Sequence, residues 1–84
     1  MMDNLKDEMV TVLVERFGVD RESITLESLL REDLDLDSID LFDIVGLIEK
    51  KTGVNVHVSD FVHAKTFGDF LSTLESLLSK ASAA

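Results

Sequence analysis

This sequence predicts an all-α domain: a small bundle of three main helices plus one short helix, with a long first loop. Three observations carry that prediction. Apolar residues recur at helical spacing in three separate stretches, residues that favour helix starts or stops stand at the stretch ends, and proline is absent. With 84 residues, 45% of them hydrophobic, the chain has material for one core and one domain. That domain is placed at residues 1–80, and Ala81-Ser82-Ala83-Ala84 reads as a short flexible tail.

The first helix is expected from about Asp3 to Phe17, with Leu5, Met9, Val12, Leu13 and Phe17 on one face and Asp3 or Asn4 as cap. Within it, Met9 to Val14 is rich in β-branched residues and could pass for a strand. A lone strand has no partner here, so helix is preferred. Gly18 is a fitting stop. Gly18 to Asp37 reads as a long connection whose Ile24, Leu26, Leu29, Leu30 and Leu34 pack against the helices. A second helix is expected from Asp37 or Ser38 to Lys51, opened by an approximate capping box of Asp37 and Asp40 and ended by Gly53. Gly46 lies in its middle at a cost of roughly 1 kcal/mol relative to Ala. Ser59 can cap a short helical turn through Ala64. Thr66 and Asp69 open a last helix whose Phe67, Phe70, Leu71, Leu74, Leu77 and Leu78 form an unbroken stripe.

Charge narrows the function classes. There are 17 acids and 8 bases, a net charge of −9. From Glu32 to Asp43 stand Glu32, Asp33, Asp35, Asp37, Asp40 and Asp43 with no base among them. Such a field repels nucleic acid and anionic membranes and orients partners that carry basic patches. Cysteine is absent, which removes disulfides and thiolate metal sites. No apolar run approaches the roughly 18 residues of a membrane span, and Met1 to Lys6 lacks a secretory pattern. A soluble, cytoplasmic monomer is the expectation.

The segment Asp33-Leu34-Asp35-Leu36-Asp37-Ser38-Ile39-Asp40 can be tested against three kinds of chemistry. Asp33, Asp35 and Asp37 alternate like the first ligands of a calcium loop, but Ser38 stands where that loop needs Gly and Ile44 where it needs a bidentate Glu. No metal site is expected. As a nucleophile Ser38 would need a nearby base, and His57 and His63 lie far downstream with no Gly-rich turn around the serine. No catalytic residue, and no enzyme, is expected. The third possibility is a modified serine. A serine at a helix start also serves simply as part of the cap, and the residues alone leave both open. The position suits a phosphodiester, since first-turn amides and the helix dipole favour an anion.

Asp37-Ser38-Ile39-Asp40, preceded by Asp33-Leu34 and followed by Leu41-Phe42-Asp43-Ile44-Val45, resembles the attachment motif of acyl carrier proteins, Asp-Leu-Gly-x-Asp-Ser-Leu-Asp opening the second helix. The resemblance runs over about residues 3 to 79 and takes in the long loop, Val54-Asn55-Val56 and the helix opened by Thr66-Phe67. It implies that Ser38 receives 4′-phosphopantetheine from coenzyme A through a phosphopantetheinyl transferase, and that the arm's thiol carries acyl groups as thioesters. It implies further partners with basic docking patches, of ketosynthase, acyltransferase or ligase type, met by Asp35, Asp37, Asp40, Asp43 and Glu49. An exposed Leu41 would add an apolar contact. Phe42, Ile44, Val45, Ile48 and Phe61 would line an acyl cavity, though ordinary core packing explains each of them as well.

The departures from the pattern point to a specialised carrier in a secondary fatty-acid, polyketide or aryl-polyene-like pathway. Asp35 stands where the family has Gly, Ile39 replaces Leu, and Gly46 takes a place where a larger apolar residue is common. His57 stands where Pro is frequent, and Phe61 replaces a smaller residue. The alternative is an unmodified acidic adaptor of the same fold.

Overall fold

Helical periodicity, caps and stops act together in the computed structural model, which describes residues 2–83. Three helices form: α1 over Met2–Phe17, α2 over Ser38–Thr52 and α3 over Phe67–Ala83. Short 3₁₀ turns lie at Arg21–Ser23 and Val58–Phe61. The strand-like run of α1 is helical, because that geometry puts Met9, Val12 and Leu13 on one buried face, where α1 packs on α3. The helix runs through Asp3 and Asn4, so neither is its cap. At its end Gly18 takes φ 69°, and the Val19 N–H reaches back to the Leu13 carbonyl at 3.1 Å, closing the final turn.

The long connection is ordered by its own hydrogen bonds. The buried Ser28 hydroxyl donates to the Ser23 carbonyl at 2.7 Å and accepts from the Thr25 N–H at 2.9 Å, so no polar atom is stranded. Beyond it, Leu29 and Thr66 form an isolated antiparallel bridge. There the Leu30 N–H donates to the Lys65 carbonyl and the Phe67 N–H to the Ser28 carbonyl, both at 2.9 Å. Gly68 eases the close approach at this seam: its N–H donates to the Leu26 carbonyl at 2.9 Å, and a Cβ there would stand 3.0 Å from the same oxygen, a contact the Leu26 backbone would have to relax by a few tenths of an ångström to accept. Ile24, Leu30, Leu34 and Leu36 are thereby drawn into the core, while Leu26 is exposed.

α2 contributes Ile44, Val45 and Ile48 to the interior and stops at Gly53, where φ is 72°. After it the half-buried Glu49 carboxylate accepts from the Val56 N–H at 3.2 Å and holds the chain against the helix. The short helix expected from Ser59 is instead a 3₁₀ turn that opens earlier, because the Asp60 carboxylate accepts from the His57 N–H at 3.0 Å. α3 buries Phe67, Phe70, Leu71 and Leu74, side chains worth roughly 1.5–3 kcal/mol each when removed from water. Its start is a reciprocal box: Thr66 Oγ1 accepts from the Asp69 N–H at 3.0 Å, and the Asp69 carboxylate accepts from the N–H groups of Lys65 and Thr66. Ala81 to Ala83, read from the sequence as a flexible tail, continue the helix; Ala84 lies outside the described residues. No described helix is long and apolar enough to cross a membrane.

Candidate functional site

Ser38 is the first residue of α2 and is exposed. Asp37 caps the helix: its carboxylate accepts from the Asp40 N–H at 3.0 Å, while the Asp40 carboxylate accepts from the Asp37 N–H at 3.2 Å. Because the neighbouring aspartates perform the capping, the serine hydroxyl is spared that task. The amides of Ser38 and Ile39, like any first-turn amides, have no partner within the helix. Ahead of the cap, Asp35 takes φ 55°, a left-handed conformation that favours glycine. This explains why the resembling motif has Gly at that place.

Ser38 borders an open groove of about 460 Å³. Leu30, Leu41, Phe61, Val62 and Ala64 supply its apolar lining, and Arg31, Glu32 and Lys65 bring charge to it. The groove lies between the start of α2 on one side and the Leu29–Thr66 seam with the second 3₁₀ turn on the other. Neither histidine borders it. A second hollow, of about 410 Å³, gathers Asp20, Asp33, Asp35 and Asp40. Its carboxylates do not form a metal-binding group among the described residues. Asp33 also has an internal task, accepting from the Leu29 N–H at 2.8 Å.

Comparison with known proteins adds the decisive observation. The family model described as a phosphopantetheine attachment site matches residues 7–74. An acyl carrier protein of Thermotoga maritima is 34% identical over 76 residues, 90% of this chain and 94% of that protein. The "Acyl carrier protein 2" of Ralstonia nicotianae is 35% identical over 68 residues, 81% and 84% of the two chains. One from Saccharopolyspora erythraea is 36% identical over 73 residues, 87% and 77%. The chain belongs to the acyl carrier protein family.

An acyl carrier protein holds 4′-phosphopantetheine covalently and deals with a phosphopantetheinyl transferase and acyl-handling enzymes. The residues at the start of α2 fit such a group. An exposed hydroxyl, unpartnered amides at the start of a 15-residue helix and an adjoining groove accommodate a phosphodiester and the pantetheine beyond it. The group supplies a terminal thiol for thioester formation, which a chain without cysteine lacks.

Two expectations about individual side chains are corrected here. Phe42, expected to line an acyl cavity, is 68% exposed, whereas Leu41, expected to be exposed, is half-buried against the core and lines the Ser38 groove. Helical phase is the cause. Ile44, Val45, Ile48 and Leu41 fill the core-facing sector, which leaves Ile39, Phe42 and Gly46, spaced by three and four residues, as a stripe on its flank. Ile39, 73% exposed, was missed as a surface residue; reading α2 around the helix rather than by apolar content would have found it. Ile44, Val45, Ile48 and Phe61 are buried. Glu49, expected on the partner surface, is occupied by the Val56 amide.

Proposed function

We propose that Ser38 carries the phosphopantetheine arm and that this protein presents acyl thioesters to the enzymes of a fatty-acid or polyketide-type pathway, itself non-catalytic. The observation that carries the reading is the exposed hydroxyl at the first position of α2, beside a groove and beneath a cap formed by other residues. Asp35 and Asp43 are exposed carboxylates, and Asp37 and Asp40 keep charge beside the serine while capping the helix. Together they form a docking surface for transferase and synthase patches of Arg and Lys. The apolar part of that surface is Ile39 and Phe42, the side chains turned outward next to the serine. The specialised-pathway reading is supported by Asp35 in a left-handed position, by Gly46 with open space around it, and by Phe61. The protein works in the cytoplasm, as a monomer that visits one enzyme after another.

The test is intact mass after incubation with coenzyme A and a promiscuous transferase. Wild type gains one phosphopantetheine and Ser38→Ala gains none. No addition to either protein would favour the unmodified adaptor. Equal addition to both would move the attachment elsewhere.

A further inference from the structure

Gly46 stands in the middle of α2, where glycine weakens a helix, yet nothing in the packing calls for it. A Cβ built there meets no atom within 4 Å, and the backbone is ordinary helix, so alanine would fit and make the helix firmer. What the missing side chain leaves is a hollow of about 350 Å³ between the end of α1 and the middle of α2. Phe17 and Leu47, half-buried against the core, form its apolar floor, and Arg16, Asp43 and Lys50 stand exposed around it. Two of the chain's 8 bases thus meet at one spot of a molecule whose net charge is −9, with a single acid beside them. The helical rise puts Gly46 about 12 Å along α2 from Ser38.

We propose that this hollow is a socket for the phosphopantetheinyl transferase: an apolar side chain of the enzyme seats on Phe17 and Leu47 over Gly46, and a carboxylate beside it pairs with Arg16 and Lys50. The inference rests on Ser38 being the residue that is loaded. A transferase must bring its active site to the Ser38 hydroxyl itself, so the part of it lying over α2 is held at a fixed distance from the serine. Enzymes that act at the far end of the arm are not tied to the helix in this way. Seating the apolar side chain takes both it and the hollow's floor out of water, and the open place at Gly46 is what admits it. The pair of cations adds register and rejects a surface that offers only bases. The enzyme surface therefore carries Arg and Lys opposite Asp35, Asp37 and Asp40, and an acid with an apolar neighbour about 12 Å from the point that meets Ser38.

The full chain is treated with coenzyme A and the transferase of the cell that makes it, kcat/KM for loading is followed by intact mass well below every thermal midpoint, and the midpoints of the unloaded proteins are compared. Gly46→Ala and Gly46→Leu should melt no lower than wild type, since both favour the helix. Loading should nevertheless slow in the order Gly, Ala, Leu, with Gly46→Leu down by roughly tenfold, mainly through KM. Arg16→Gln combined with Lys50→Gln should also slow loading, although it makes the chain more acidic; docking by acidity alone would leave that variant as fast as wild type or faster. Gly46→Leu loaded as fast as wild type would overturn the inference, and so would undiminished loading of the double Gln variant. Failure to load wild type would be seen separately at the mass step, and would remove the carrier reading together with its socket.

Discussion

Asp35 shows how a single backbone angle links sequence motif to site. A non-glycine residue at φ 55° costs roughly 1–2 kcal/mol for the crowded Cβ, less for Asp than for most residues, while glycine there loses about 0.5–1 kcal/mol in chain entropy. Asp35→Gly should therefore be neutral to stabilising by up to about 1 kcal/mol, and Asp35→Val should cost roughly 1–3 kcal/mol. Urea unfolding of the three proteins checks both; a destabilised Gly variant beside a neutral Val variant would contradict the reading. The sequence marks this residue only through its departure from the family's glycine, since its angle depends on the cap after it. Ser38 and its cap were legible because both belong to one local pattern of hydrogen bonds. The places of Leu41 and Phe42 were not, because adjacent apolar residues point about 100° apart and only the packing partner decides which is covered.

At the level of elements, the boundaries readable from sequence are those set by short-range bonds. The Asp37–Asp40 and Thr66–Asp69 boxes and the glycine stops at Gly18 and Gly53 stand where spacing placed them. The second 3₁₀ turn was displaced because Asp60 pairs with His57, and the Leu29–Thr66 bridge was invisible because its partners are far apart in sequence. The α3 box also gives a pH dependence. The amides of Thr66 and then Lys65 hold the Asp69 carboxyl below its ordinary pKa. A lowered folded-state pKa means that the ionised form favours the fold. Its contribution is complete above the unfolded value of about 4 and fades as pH falls through the folded one. The stability gap between wild type and Asp69→Asn should thus be widest near neutrality and shrink below about pH 4, as measured by urea unfolding. A gap independent of pH would exclude this role for the carboxylate.

For the molecule as a whole, charge is the dominant global property. A net charge of −9 on 84 residues is concentrated where Asp20, Asp33, Asp35 and Asp40 surround one hollow. Their mutual repulsion opposes the folded state and is relieved as the screening length falls from about 30 Å at 0.01 M salt to about 8 Å at 0.15 M. The thermal midpoint of the unmodified protein should rise over that range. A flat response would mean that these carboxylates do not repel one another appreciably. Composition foretold the sign of this field. It could not foretell that Asp20 joins the loop acids, which the turn after α1 brings about.

The most direct measurement is the site of modification. Trypsin releases residues 32–50 as a peptide in which Ser38 is the only hydroxyl-bearing side chain. After treatment with coenzyme A and a transferase, fragmentation of the digest should find the phosphopantetheine on that peptide alone. Its presence on a peptide containing another serine, with residues 32–50 unmodified, would contradict the account.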